Sequence, residues 1–209
     1  MKNIKWVAAA ILIIAMSCSS SKITSSWKAQ NITPAKFNKI LVLGLIHEKD
    51  RQMQEKLEQH LVGDLRDIGY TAISAMQEYG PKAFENMDEK AALQKIKNSG
   101  VDAVITIVLL DKTKERRYVP GRSYAVSNFW SYYRARYSRI YEPGYFVTDT
   151  KYFWESNFYE MNNQTVLYSA QTKSFSPESA ETLGHEYGML VVKDLVKQKV
   201  LQQLSVKEE

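Results

Sequence analysis

The strongest constraint on the fold is a repeated change of apolar period. Residues 37–45, FNKILVLGL, are a near-continuous apolar and β-branched run, the pattern of a buried strand. Met53, Leu57, Leu61, Leu65 and Ile68 then recur at helical spacing with charged residues between them, and Gly69 supplies a stop. YTAISAM at 70–76 is a short second strand. Asn86 and Glu89 have the spacing of a capping box that opens a helix ending at Gly100. VDAVITIVLLDKT at 101–113 is a long third strand. This β-α-β-α-β order predicts a parallel core with right-handed crossovers.

The order then changes. Residues 145–161 and 165–175 read as two strands joined by NNQ at 162–164, an antiparallel hairpin. Ser176, Pro177 and Glu178 supply a cap, a first-turn proline and an acid for a last helix. Its apolar positions are Ala180, Leu183, Tyr187, Leu190, Val191, Leu195 and Leu201. The expected fold class is α/β: a mixed sheet with a parallel β-α-β-α-β core, an added antiparallel hairpin and a long carboxyl-terminal helix.

The start of the chain speaks to its address. Lys2 and Lys5 precede an apolar run at 7–16, well short of the ~20 residues a membrane-spanning helix needs. A basic start and a short apolar core read as a secretory signal peptide. Cys18, the only cysteine, follows directly. The arrangement resembles the lipobox of bacterial lipoproteins, in which a small residue precedes a cysteine that is acylated and becomes the mature amino terminus. Ser17 fits the small position and Ala15 stands three before the cysteine; Met16 departs from the pattern. An ordinary signal peptide cut elsewhere would discard Cys18. The lipobox resemblance implies a signal peptide at 1–17, lipidated (palmitate-type) Cys18 with a flexible tether at 18–26, and a single α/β domain at 27–209. Each buried methylene contributes about 0.8 kcal/mol, so several acyl chains hold stably. Ser19 stands where an aspartate retains enterobacterial lipoproteins in the inner membrane. The resemblance therefore implies the outer membrane, facing the periplasm.

ITSSWK, KILVLGL, GYTAIS, VDAVITIVLLD, YVPG and TVLYSAQTKSFSP, in that order, resemble a family of bacterial envelope lipoproteins with a domain of unknown function. More distantly, the order of elements is similar to the α/β domains of curli-secretion lipoproteins, of penicillin-binding-protein activator lipoproteins and of the amino-terminal part of the Tol–Pal translocation protein. That likeness implies a contact domain and carries over no catalytic residue.

Apolar content of 44% and charged content of 24% suit one globular domain once the signal is removed. The basic excess is uneven. Arg116, Arg117, Arg122, Arg134, Arg136 and Arg139 cluster in a Tyr/Arg-rich insertion at 114–144, opposed there only by Glu115 and Glu142. Nucleic acid, the first thought for such a stretch, does not fit an envelope address. Three uses remain: a long loop that covers a sheet edge or completes the core, a contact surface for an acidic partner (envelope protein, peptidoglycan or lipid phosphate), or a membrane-inserting hairpin. Tyr133, Ala135 and Tyr137 alternate with Arg134 and Arg136, but Arg139 falls on the tyrosine face, so the apolar face of a membrane strand is not clean. Burying so many guanidinium groups is expensive, and tyrosine and arginine carry binding energy at interfaces. The expected contact residues are Arg116, Arg117, Arg122, Trp130, Tyr132, Tyr133, Arg134, Arg136, Tyr137 and Arg139.

Catalytic patterns are incomplete. His185-Glu186 begins like a zinc-protease helix, but position 189 is Met, so a ligand is missing. His47, Glu48 and Asp50 stand at the carboxyl end of a parallel strand, where open α/β sheets bind ligands, without a glycine-rich phosphate loop. With Asp111 they define the competing reading, an enzyme on cell-wall or glycan substrates. Asp149 and Glu155 read as hairpin surface, and Gly184 and Gly188, one turn apart, as a seat for the sheet or for a partner helix. No cofactor or metal is expected. The expected function is a non-catalytic envelope interaction or assembly module, with the enzyme or a subunit of an oligomeric secretion assembly as alternatives.

Overall fold

The computed structural model describes residues 20–30, 32, 36–82, 84–119, 128–137 and 145–204; of residues 132 and 135–137 it describes the backbone. Six strands form one mixed sheet: β1 (Ser21–Lys28), β2 (Ile40–Leu45), β3 (Ala72–Ser74), β4 (Ala103–Val119), β5 (Tyr145–Glu160) and β6 (Thr165–Phe175). Their order across the sheet is β1-β6-β5-β4-β2-β3. β2 pairs in parallel with β3 and β4, whereas β4, β5, β6 and β1 are antiparallel in turn. The helices are α1 (Arg51–Asp67), α2 (Ala75–Tyr79), α3 (Glu89–Asn98), α4 (Phe129–Tyr137) and α5 (Ala180–Lys197). The parallel core, the hairpin and the long last helix are as the apolar periods predict.

α1 and α5 lie on one face over the main core, where Leu57, Leu61, Leu65, Leu183, Tyr187, Val191 and Leu195 meet Ile40, Ile105, Trp154, Phe158 and Tyr168. On the opposite face Ala75 and Ile96 cover Leu41 and Val104. β2 is therefore buried on both sides, which explains its unbroken apolar run. β5 and β6 are covered on one side: Tyr152, Trp154, Ser156 and Phe158 are buried and alternate with half-buried Phe153, Glu155 and Asn157. Each large apolar side chain buried this way contributes about 1.5–3 kcal/mol. The Tyr168 hydroxyl donates to Asp194 Oδ2 at 2.8 Å, and Ser156 bonds the Tyr187 hydroxyl.

Gly184 and Gly188 seat α1. A Cβ at Gly184 would stand 2.9 Å from the Lys56 carbonyl oxygen, and one at Gly188 would stand 2.1 Å from Asp64 Oδ2. The close approach is thus between two helices of this chain rather than onto the sheet.

Four local expectations are corrected. Residues 21–26, expected within a flexible tether, belong to β1, because the open edge of β6 offers them a ladder from Ser21↔Ser174 to Lys28↔Tyr168. Asp88, not Asn86, caps α3: its Oδ1 accepts from the Ala91 N–H at 2.7 Å, while Asn86 sits at φ 60° in the preceding turn. Ser179, not Ser176, caps α5, because Ser176 is tied to β5, accepting from the Thr150 N–H at 3.0 Å. Finally, the 114–144 segment is only partly an insertion: its first six residues continue β4, and α4 lies within it.

Candidate contact arm

β2 leaves β4 at Val108, and β6 leaves β5 at Lys151. From Lys114↔Thr150 to Val119↔Tyr145 the β4–β5 pair continues alone as a two-stranded ribbon. Six residue pairs at ~3.3 Å each make an arm roughly 20 Å long. A bulge between Leu109 and Asp111 marks the passage from core to arm. Bulges re-aim side chains and tighten the local twist. On the core side Ile105 and Ile107 are buried; on the arm side residues 113–118 are all exposed. α4 falls between the two strands in the sequence. Asn128 Oδ1 accepts from the Ser131 N–H at 2.9 Å, which fixes the start of α4.

The ribbon is held by its own side chains. Arg117 Nε donates to Asp149 Oδ2 at 2.9 Å, and Ser176 Oγ donates to Asp149 Oδ1 at 3.4 Å. The Arg117 guanidinium holds the Asp149 carboxyl below the usual carboxylate range. Lys151 Nζ lies 2.5 Å from Glu115 Oε2. The Arg116 guanidinium stacks 4.6 Å from the centre of the Phe146 ring, and Tyr118 meets the same ring edge-on at 5.4 Å. On α4, Trp130 and Tyr133 stack at 5.3 Å with Phe129 beside them.

These rings face solvent. Phe129 is 75% exposed, Tyr145 61%, Trp130 59%, Phe146 58%, Tyr118 51% and Tyr133 43%. Among the described residues they make up six of the eleven large exposed hydrophobic residues, three on the ribbon and three on α4. Concentration of this kind marks interaction surface.

Of the contact residues expected from sequence, Arg116 and Arg117 stand exposed on β4, and Trp130, Tyr133 and Arg134 stand exposed on α4. Tyr132, Arg136 and Tyr137 fall within the α4 backbone. Arg122, Arg139 and Cys18 lie outside the described residues. Phe129, Tyr118 and Tyr145 lie within the expected contact stretch, 118–145, without being singled out, and Phe146 falls just beyond it. The signal for the last three was the continuation of two strands past their neighbours, and pairing partners are not written in a single strand.

The strand ends that defined the enzyme reading are locally engaged. His47 is exposed and its Nδ1 accepts from the Lys49 N–H at 3.4 Å, capping a short 3-10 turn. Glu48 faces Arg51 at 3.6 Å, Asp50 pairs with Lys112 at 2.6 Å, and exposed Asp111 accepts from the Thr113 hydroxyl at 2.8 Å. The group at the centre of this end is Glu58, which is fully buried. Its Oε1 accepts from the Gly44 N–H at 2.9 Å and from Gln54 Nε2 at 3.0 Å. Its Oε2 accepts from the Ser74 hydroxyl at 2.5 Å and from the Met76 N–H at 2.9 Å. A carboxylate holding four donors ties β2, α1 and the start of α2 together and leaves no lone pair directed at a substrate.

A groove of about 620 Å³ lies elsewhere, between α3 and the β5–β6 turn. Its floor holds Ile96, Val101 and Met161, and its rim carries Lys90, Lys97 and Asn162. Asp88 and Glu89 also line it, and Asp88 is occupied as the α3 cap. His185 is exposed beside His60, with ring centres 5.7 Å apart. Among the described residues no group of three or more His, Cys, Asp or Glu is placed to hold a metal ion.

No family model matches the chain, so the family membership suggested by the motif order has no matching model behind it. No curated protein matches either. Among solved structures, the chain is similar to the PelC dodecamer from Paraburkholderia phytofirmans, at 11% identity over 88% of this chain and 99% of that one, with a TM-score of 0.45. It is similar as well to lipoprotein GNA1162 from Neisseria meningitidis, at 16% identity over 77% of this chain and 99% of that one, with a TM-score of 0.41.

Proposed function

We propose that this chain is a lipid-anchored protein of the bacterial cell envelope, held through Cys18, that works without catalysis by presenting a basic aromatic contact arm. The observation that carries the reading is the arm itself: exposed aromatic rings and arginines on a ribbon that leaves the sheet. Aromatic and arginine side chains combine apolar area with directional polar groups, and they dominate binding energy where they cluster. The engagement of His47, Glu48 and Asp111 in local turns and pairs supports the non-catalytic side of the reading. Ser19 after the cysteine supports sorting to the outer membrane, with the domain in the periplasm.

The anchor is tested by metabolic labelling with a clickable fatty acid in wild type and Cys18→Ala. Label in wild type and none in the variant is the expected result; equal labelling in both would sink the anchor. The contact role is tested by crosslinking in intact envelopes with a photoreactive side chain at Tyr133. Linkage at Tyr133 and none at exposed Lys193 on α5 is expected, and equal linkage at both positions would remove the arm from its role.

A further inference from the structure

We propose that the arm is a second membrane contact, seated in the anionic headgroup layer of the same bilayer that holds the acylated Cys18. This rests on the lipid-anchor reading above and adds the partner of the arm.

Strand direction supplies the first observation. β4 runs toward the arm, β5 returns from it, β6 runs toward it again and β1 runs away from it. β1 therefore begins at the arm end of the sheet. Ser21 pairs with Ser174, and Ser174 with Tyr152, directly at the base of the ribbon. The chain is pinned there before β1 starts. The Ser20 carbonyl accepts from the Phe175 N–H at 2.9 Å, and the Ser20 hydroxyl donates to Glu186 at 2.7 Å.

Reach supplies the second. Cys18 stands two residues before Ser20, so its backbone lies at most ~7 Å from it, at ~3.6 Å per extended residue. The arm projects roughly 20 Å beyond its base at the same end of the sheet. An anchor on so short a lead places the arm end of the sheet against the bilayer. A ribbon that outreaches the anchor must then meet that bilayer.

Chemistry supplies the third. Trp and Tyr favour the level of the headgroups, where an amphipathic ring has one end apolar and one end wet. Trp130, Tyr133, Tyr118 and Tyr145 fit that layer. Arg116 and Arg134 suit lipid phosphates. The acids of the ribbon, Glu115 and Asp149, are each held by a cation, Lys151 and Arg117, so they do not repel an anionic surface. Lys114, Glu115, Arg116 and Arg117 are consecutive, so charge falls on both faces of β4. That pattern forbids a lipid-facing barrel strand and leaves contact at the interface, about 5–10 Å deep.

The test uses the mature lipoprotein reconstituted in vesicles of phosphatidylethanolamine and phosphatidylglycerol, with and without bromine near the top of the acyl chains. Bromine quenches nearby tryptophan emission. Trp154 is buried and Trp27 pairs with Ser169, away from the arm end, so the difference between wild type and Trp130→Phe isolates Trp130. We expect bromolipid to remove about half or more of the Trp130 emission, and Arg116→Ala with Arg134→Ala to reduce that quenching at least twofold. Fatty-acid labelling is scored on the same preparation. Labelled protein with unquenched Trp130 overturns the arm inference and leaves the anchor standing. Unlabelled protein overturns both. Envelope crosslinks from Tyr133 that run to a protein and not to lipid also overturn the inference, in favour of a protein partner.

Discussion

Glu58→Gln separates the two uses a buried carboxylate can have. Glu58 is 0% exposed and accepts four hydrogen bonds, from Gly44, Gln54, Ser74 and Met76. Glutamine has nearly the same shape but replaces one acceptor oxygen with a donor. Placed at Oε1, the new amide faces the Gly44 N–H and the Gln54 amide. Placed at Oε2, it faces the Met76 N–H and the Ser74 hydroxyl. The second arrangement is cheaper, because the serine hydroxyl can rotate to accept while the backbone N–H cannot. One buried N–H is still orphaned, at about 1–3 kcal/mol, and the charge-assisted character of the other bonds is lost. We expect a loss of about 2–4 kcal/mol. At about 2–4 °C per kcal/mol for a chain of this size, the thermal midpoint should fall by roughly 4–16 °C. Circular dichroism melting and urea titration of the same preparation measure it. Glu58→Ala should fall further, since all four donors lose their partner. A midpoint within about 1 °C of wild type in Glu58→Gln would refute the clamp.

Other perturbations read other parts of the molecule. Gly188→Ala forces a Cβ toward Asp64 and the Leu61 N–H, and should lower stability by about 1–3 kcal/mol in urea titration; no change would mean that α1 and α5 are not packed as described. Burial raises the Asp64 pKa from 3.8 to about 6, against the opposing pull of His185, His60 and Lys193. The folded state then holds this proton more tightly than the unfolded state, so the contribution of Asp64 to stability is full below about pH 4 and is lost as pH rises through about 6. Asp64→Asn should flatten that slope and, after allowance for its partial exposure, add about 1 kcal/mol at pH 7; an unchanged pH–stability curve would refute it. Arg134, Arg136 and Arg139 changed together to alanine should leave the thermal midpoint nearly unchanged and weaken arm binding, more so at low salt; unfolding of that variant would make these arginines structural.

The alternation of elements was legible because each strand and helix declares its period locally. β2 reads as a strand buried on both faces and is one. α1 reads from Met53 to Ile68 as an amphipathic helix and spans Arg51–Asp67. What depended on distant partners was not legible. SKITSSWK carries six polar or charged residues in eight, which suits a tether as well as an edge strand; only the free edge of β6 decides between them. Asn86 and Glu89 fit a capping box, and nothing local gives preference to Asp88 two residues on. The arm was visible as composition, since arginine and tyrosine cluster at 114–145. Its form was not, because the point at which β4 and β5 outrun β2 and β6 is a property of four strands together. Glu58 looked like one more charged residue on the outer face of α1. Its burial follows from Gly44, which leaves room for the carboxylate: a Cβ there would stand 2.8 Å from Glu58 Oε1.

β4 does two jobs, and the bulge keeps them apart. Up to Leu109 its residues alternate between two covered faces, and a charge there would be buried at a penalty of several kcal/mol. Residues 113–118 are all exposed, so charged residues are tolerated there on both sides of the strand. A ribbon of two strands alone is marginally stable in water. This one is stiffened where the sheet no longer helps, by Arg117 on Asp149, Lys151 on Glu115 and Arg116 on Phe146. Those pairs use polar groups to hold the backbone in place and leave the rings of Tyr118, Tyr145 and Phe146 largely in solvent. A ribbon that only covered a sheet edge would turn its rings inward, because about 25 cal/mol is gained per Å² of apolar surface removed from water. Rings held outward on a braced ribbon forgo that gain in the isolated chain. The gain is recovered only when another surface covers them, and the proposed Cys18 anchor, two residues before Ser20 at the start of β1, would put a bilayer at that same end of the sheet.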